Sequence, residues 1–128
     1  MEREIKFRAK SNGRWVYGHY YNNKSYAVNT DYIVSDVGKT DGEHFIVDGS
    51  TLGEFTGLFD KSGEPIFEGD IIKDHVYGVS YVCKFEEGMF GFHSKDGRYF
   101  NSESLQVNTG KLDYSWIEII GNIHTEQK

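Results

Sequence analysis

Four acidic residues near the middle of the chain, Glu64, Glu68, Asp70 and Asp74, are the side chains whose type best suits metal chemistry. Carboxylate oxygens are the preferred ligands of Mg²⁺ and Ca²⁺ in proteins. The spacing of the four residues matches no known cation-binding loop, and aspartate beside glycine is also the composition of a tight turn. Turn formation is therefore the preferred interpretation, and no metal site is predicted.

The histidines and the single cysteine are the other candidate metal ligands or nucleophiles. The histidines occur singly, without the i,i+4 spacing or the cysteine partners of zinc sites. They are His19, His44, His75, His93 and His124. Cys83 falls on the apolar side of a predicted strand, where burial keeps a thiol protonated and unreactive. Because the sequence also lacks nucleophile-elbow, Walker and dinucleotide-binding motifs, it predicts no catalytic residue, no cofactor and no enzyme activity.

Basic residues are concentrated near the N-terminus, at Lys6, Arg8, Lys10 and Arg14. Basic and apolar residues alternate there, which predicts a half-exposed strand whose charged side chains project into water. A solvated hairpin face is the preferred interpretation over a phosphate-binding patch. The net charge of −6 also works against nonspecific attraction to nucleic acid, although it leaves a local basic patch open.

Aromatic residues make up 16% of the sequence, which is high for a globular protein. Some of them could line a groove that stacks peptide groups or bases, whereas packing inside a small β domain is the preferred interpretation for any single ring. The groove candidates are Tyr20, Tyr21, Tyr77, Tyr81, Phe90, Phe92, Tyr99 and Phe100.

Strands and turns are the elements that must position these side chains. Fifteen glycines against only two alanines, together with the aromatic content, favour a mainly β fold with at most one short helical turn, at residues 102–105. Alternation predicts an antiparallel hairpin over residues 5–20, a strand at 26–28 and another over 79–85. We also predict a final strand over 116–123 that pairs far back in the sequence, and open sheet edges between Tyr20 and Val34.

The densest turn chemistry lies in residues 55–72, which contain the only proline. Asp60 to Gly63 predicts a type I turn closed by a left-handed glycine, with the Asp60 carboxylate accepting from an amide two residues later. Pro65 suits an edge strand or the first residue of a strand. Gly69 is predicted to adopt a positive φ in a second turn.

Three segments together resemble the YopX family: residues 5–9, residues 55–72 and residues 117–124. They stand in the order and spacing of that family and span nearly the whole chain. The positions to which we assign a structural role in these motifs are Gly57, Asp60, Gly63, Pro65, Glu68, Gly69, Asp70, Gly121 and Asn122. The chain departs from the family pattern at Lys10-Ser11 and in the tail at residues 125–128.

The resemblance implies a small β-rich protein encoded by a phage or prophage, with an SH3-like barrel in its C-terminal part. We accordingly expect an N-terminal β region at residues 1–57 and an SH3-like barrel region at residues 58–128. The resemblance supplies no catalytic residue, cofactor or metal ligand.

A noncatalytic protein-interaction module, binding another protein or its own copies in the host cytoplasm, is the function that the sequence predicts. A nucleic-acid-binding accessory protein is the alternative, and a metal-dependent enzyme is the third hypothesis. No run of about 20 apolar residues is present, so no membrane partner is expected. The candidate binding surface consists of Lys6, Arg8, Lys10, Arg14, Tyr20, Tyr21 and Tyr77.

Overall fold

The computed structural model describes residues 5–25, 29–35, 42–86, 88–101 and 115–124, and these residues form ten β-strands and no helix. The strands are β1 (Phe7–Ser11), β2 (Arg14–Lys24), β3 (Asn29–Ser35), β4 (Glu43–Phe59), β5 (Pro65–Phe67), β6 (Asp70–Asp74), β7 (Ser80–Glu86), β8 (Met89–His93), β9 (Tyr99–Asn101) and β10 (Ile117–Asn122). The prediction of a mainly β protein is confirmed for this part of the chain. The predicted strand at 26–28, the helical turn at 102–105 and the tail at 125–128 lie outside the described residues.

The chain divides into two compact units, Met1–Phe55 and Thr56–Lys128, hereafter unit 1 and unit 2. The strands form two antiparallel sheets. Two antiparallel sheets do not by themselves define the SH3-like barrel expected for residues 58–128.

Unit 1 is built on the predicted hairpin, in which β1 pairs with the first five residues of β2. Asn12 and Gly13 connect the two strands, and both have positive φ values, 53° and 79°, as a two-residue type I′ turn requires. The second half of β2 pairs with β3, β3 pairs with β4, and β4 returns to pair with β1. The four strands of unit 1 are therefore linked by a closed cycle of pairings.

The expectation of an open edge between Tyr20 and Val34 is wrong for Tyr32 to Val34. These residues lie in β3, which pairs with β2 on one side and with β4 on the other. An edge strand has one neighbour, whereas β3 has two, so its backbone is not available for pairing with a further strand.

The core of unit 1 is small and aliphatic at its centre. Ala9 and Ile33 are fully buried and Val47 nearly so. Side chains on the same side of the strands pack around them, namely Phe7, Val16, Tyr20, Phe45 and Leu52. Full burial of an aliphatic side chain such as Ile33 contributes about 1.5–3 kcal/mol, so this cluster fixes which face of each strand points inward.

In unit 2 the strand order is β10-β6-β7-β8-β9. β10 pairs with β6, which confirms that the final strand finds a partner far back in the sequence. The core consists of Leu58, Ile66, Ile72, Tyr81, Cys83, Phe92, Phe100 and Ile117. The predicted face of β7 is confirmed at Tyr81 and Cys83, but Phe85 at its end is 45% exposed and packs against Phe90 with ring centroids 4.8 Å apart.

Candidate binding surfaces

The buried aspartates of the central stretch are engaged with backbone amides. Asp70 accepts from the Phe67 amide through Oδ2 (2.8 Å) and from the Asn122 side-chain amide through Oδ1 (3.2 Å). Asp74 accepts from the amides of Val76 and Tyr77 through Oδ1. Each carboxylate therefore closes a turn, as the sequence interpretation favoured. Within the described ranges, no three His, Cys, Asp or Glu side chains come together in a way that could hold a metal ion.

Asp60 forms the turn that the sequence predicted. Its Oδ1 accepts from the amides of Ser62 (2.9 Å) and Glu64 (3.0 Å), and the Gly63 amide donates to its carbonyl oxygen (2.9 Å). Gly63 has a φ of 87°, and Pro65 is the first residue of β5. These predictions of local geometry are confirmed.

The central and C-terminal motifs of the resemblance contact each other directly. The Ile119 amide donates to Asp60 Oδ2 (3.1 Å), and the Ile123 amide donates to the Gly69 carbonyl (2.9 Å). Gly69 has the predicted positive φ, 95°. The pairing of β10 with β6 shifts register before Gly121. These contacts join Asp60 and Gly69 to the C-terminal motif in unit 2. Gly57 (φ 85°) and the half-buried Glu68 belong to the same unit.

The histidines that are described lie in separate places. His75 contacts Glu118 (2.7 Å), His93 contacts Glu86 (3.3 Å), and His44 contacts the Tyr21 hydroxyl (3.1 Å). Cys83 is a reduced thiol with 1% of its surface exposed. The buried position predicted for the cysteine is confirmed.

One side of the unit 1 sheet carries a continuous set of polar and aromatic side chains. Successive side chains of a strand point to opposite faces, so the neighbours of the core residues Ala9, Val16, Ile33 and Val47 point away from the core. We call this side the outer face. It includes Arg8, Lys10, Trp15, Tyr17, Tyr21, Tyr32, His44 and Ile46.

The β1–β2 half of the outer face alternates cations with aromatic rings. The Arg8 guanidinium lies 4.2 Å from the centroid of the Trp15 ring, and the Lys10 ammonium lies 5.3 Å from it. The Lys6 ammonium lies 5.8 Å from the Tyr17 ring. These distances are within the range of cation–π attraction. We call Lys6, Arg8, Lys10, Trp15 and Tyr17 the basic row.

The expectation that all four basic residues project into solvent is wrong for Arg8, which is 6% exposed. Its guanidinium lies over an indole ring instead, because Lys10 and Trp15 are opposite each other in the hairpin and Arg8 lies two residues before Lys10, on the same face of β1. Arg14 is exposed at the start of β2. Three of the four predicted basic residues therefore contact aromatic rings.

The other half of the outer face carries the tyrosine cluster, which we define as Tyr21, Tyr32, His44 and Ile46. Tyr21 and Tyr32 are opposite each other on β2 and β3, and their rings stack with centroids 4.7 Å apart and planes 5° apart. Ile46 is opposite Tyr32 on β4 and is 63% exposed. An exposed isoleucine beside two stacked rings makes this an apolar surface at the centre of a sheet.

Tyr20, predicted together with Tyr21, lies on the opposite side of β2. Its ring packs against the unit 1 core, and its hydroxyl donates to Asp31 Oδ1 (2.7 Å). This hydrogen bond, with one from Asn22, holds the pKa of Asp31 below its usual value, and the same bond to Asp31 raises the pKa of Tyr20. Tyr20 therefore ties β2 to β3 and takes no part in the outer face.

Tyr77 lies at a third place, in unit 2, where a cavity of about 350 Å³ opens beside the turn after β6. The predicted groove residues Tyr77, Tyr81 and Phe100 line this cavity together. Sequence reasoning missed the other lining residues, Asp74, Val76, Arg98 and Trp116. Nothing in the local pattern of the sequence connects Trp116 with Tyr77, because the cavity depends on the pairing of β10 with β6.

Comparison of the sequence with known proteins identifies the family of the chain. No curated protein matches the sequence. In the part of the chain that the structure describes, no helix is long and apolar enough to cross a bilayer. The family model described as YopX protein matches residues 6–128, which is nearly the whole chain. The matched range includes the central motif, residues 55–72, and the C-terminal motif, residues 117–124, which bind each other in unit 2. The protein therefore belongs to the YopX family.

Proposed function

We propose that this phage-type protein is a noncatalytic interaction module that binds protein, a second copy of the chain included, through the outer face of unit 1. The observation that carries the proposal is the tyrosine cluster, in which Ile46 is 63% exposed beside the stacked rings of Tyr21 and Tyr32. Burying Ile46 against a partner would contribute about 1–2 kcal/mol.

The composition of the outer face supports a protein partner. Tyrosine, tryptophan and arginine are the residues most enriched among those that dominate binding energy at protein interfaces. The outer face presents Trp15, Tyr17, Tyr21 and Tyr32 on strands of one sheet. Stacked rings on paired strands lose little conformational freedom when they are covered, which favours affinity.

The proposal extends to the fold and the location. The order β10-β6-β7-β8-β9, in which all four neighbouring pairs are antiparallel, is compatible with an SH3-like barrel over residues 58–128. A single cysteine kept as a buried, reduced thiol fits the reducing environment of the host cytoplasm.

Replacing Ile46 by aspartate tests the proposal. If a second copy is the partner, the wild-type protein forms dimers or larger species at high concentration, and Ile46→Asp reduces that association at least tenfold, because a charge replaces the apolar centre of the face. Light scattering behind a sizing column measures the association.

The matched control is Ile120→Asp, which alters an isoleucine of similar exposure, 50%, in β10 of unit 2. It is expected to associate like the wild type. A strictly monomeric wild-type protein at high concentration rejects self-association. If the two substitutions weaken the association equally, the outer face is not the binding surface.

Nucleic acid is the second candidate partner, and the basic row is the observation that favours it. Cations beside aromatic rings are the combination with which proteins hold single strands, the cations at phosphates and the rings under bases. Along β2, Trp15 and Tyr17 are two residues apart, about 7 Å in a strand.

A salt titration of binding to single-stranded and double-stranded DNA measures this second candidate. If it holds, replacing Lys6 and Lys10 together by alanine lowers the slope of log K against log salt by about 1.4 for a single strand, whereas Lys84→Ala, an exposed lysine of unit 2, leaves the slope unchanged. Absence of binding at low salt rejects nucleic acid as the partner.

A further inference from the structure

The cavity beside the turn after β6 belongs wholly to unit 2 and takes no part in the proposed function. Its volume is about 350 Å³, enough for one side chain of a binding partner. Tyr81 and Phe100 are buried members of the unit 2 core, whereas Tyr77 is 77% exposed and Val76 is 62% exposed. The cavity thus runs from the core cluster to an exposed apolar turn.

Four aromatic rings surround this space. Tyr81 and Phe100 meet edge to face with centroids 4.8 Å apart, and Trp116 lies 5.3 Å from Phe100. Tyr77 supplies the fourth ring from the turn. A cation that reaches the face of an aromatic ring is attracted by the quadrupole of that ring.

The charges around the cavity favour the same class of ligand. Asp74 lines it and is held in place by the amides of Val76 and Tyr77. Arg98 is the one lining cation among the described residues, and its Nε pairs with Asp96 at 3.3 Å. Residues 56–128 also hold twelve acidic against seven basic residues, so unit 2 carries most of the negative charge of the chain.

The pKa of Tyr81 reports the same local field. Burial raises this pKa most, and the Asp74 carboxylate raises it further; Arg98 lowers it and Asp96 raises it. Among the charged groups, the Asp74 carboxylate has the largest effect on the pKa of Tyr81, and a carboxylate beside the cavity also attracts a cation.

We propose that this cavity binds the ammonium end of a lysine side chain presented by a partner protein. The alkyl stem of lysine packs against apolar side chains while its ammonium group reaches the rings and the Asp74 carboxylate. An aliphatic side chain would use the ring surfaces but make no electrostatic contact with the Asp74 carboxylate, which is why the observations favour a cation over an apolar ligand.

The experiment compares two tripeptides, acetyl-Gly-Lys-Gly-amide and its norleucine counterpart, which has an uncharged side chain with the same number of carbons. Each is titrated into the ¹⁵N-labelled full chain, and the two indole N–H signals are followed. Trp116 lines the cavity and Trp15 lies in unit 1, so Trp15 is an internal reference. We expect the lysine peptide to move the Trp116 signal alone, with an affinity at least about fivefold above that of the norleucine peptide.

Tyr77→Leu keeps the exposed side chain apolar but removes one ring, and it should weaken the lysine peptide about threefold. Tyr99→Leu removes a half-exposed ring that does not line the cavity and should leave binding unchanged. Equal affinity for both peptides, movement of the Trp15 signal instead, or no movement at all overturns the proposal. None of these outcomes bears on Ile46 in unit 1, so the two proposals fail independently.

Discussion

Gly18→Ala is expected to destabilise the protein by about 4 kcal/mol or more, or to prevent unit 1 from folding. A Cβ atom at this position would lie 2.0 Å from the Val34 carbonyl oxygen and 2.8 Å from its carbonyl carbon, distances that no side chain rotation can relieve. Gly18 also has a φ of 154°, which side chains rarely permit.

The position of Gly18 explains why the backbone cannot yield. Gly18 is the last residue of β2 that pairs with β1, and His19 after it is the first that pairs with β3, opposite Val34. Val34 is also paired with His44 on β4. Moving Val34 away from an added methyl group would break pairings on both sides of β3, so the clash must be relieved by loss of structure.

Urea denaturation followed by Trp15 fluorescence measures this effect, and Gly13→Ala is the matched control. Gly13 has a φ of 79° in the hairpin turn, but a Cβ atom there would meet nothing within 4 Å. Its replacement should cost only about 1–2 kcal/mol, from the left-handed backbone alone. If the two variants lose the same stability, the contact with Val34 is not the reason for glycine at position 18.

The sequence contains the information that is local. The 5–20 hairpin, the buried side of β7 at Tyr81 and Cys83, and the Asp60 turn are predictable because alternation and turn chemistry act over a few neighbouring residues. The Asp60 turn forms from Asp60 and the residues that follow it directly. The Asp60 carboxylate accepts from the Ser62 amide, two residues later, as the sequence predicts.

What escaped prediction depends on pairing between distant strands. No local pattern shows that β3 lies between β2 and β4, and for that reason the open edge at Tyr32 to Val34 was wrong and the need for Gly18 was missed. The cavity of unit 2 escaped for the same reason, since Trp116 joins Tyr81 and Phe100 only after β10 has paired with β6.

The separation of Tyr20 from Tyr21 is an intermediate case. Two consecutive residues of a strand must point to opposite faces, so the sequence shows that only one of them can face outward. Which of the two faces inward is decided by the core, where Tyr20 packs with Phe7 at a centroid distance of 5.9 Å. The aromatic composition therefore shows how many rings must be placed, and the strand pairing decides which are available for binding.

Asp60→Ala is the second large effect that we expect, a loss of about 3 kcal/mol in the free energy of unfolding. The carboxylate is 4% exposed and accepts from the amides of Ser62, Glu64 and Ile119. Alanine would leave three donors without this acceptor. The Ile119 amide lies in β10, so the substitution loosens the contact between the two motifs of unit 2 as well as the turn itself.

Two further variants separate the turn from the contact with β10. Asp60→Asn keeps an oxygen for Ser62 and Glu64, but its amide nitrogen cannot accept from Ile119, so an intermediate loss is expected. Asp48→Ala removes an exposed aspartate that accepts from the Ser50 amide in the same local manner and should change stability by less than about 1 kcal/mol. Urea denaturation followed by Trp116 fluorescence measures all three. If Asp60→Asn is as stable as the wild type, the hydrogen bond to Ile119 contributes nothing, and the central motif stabilises only its own turn.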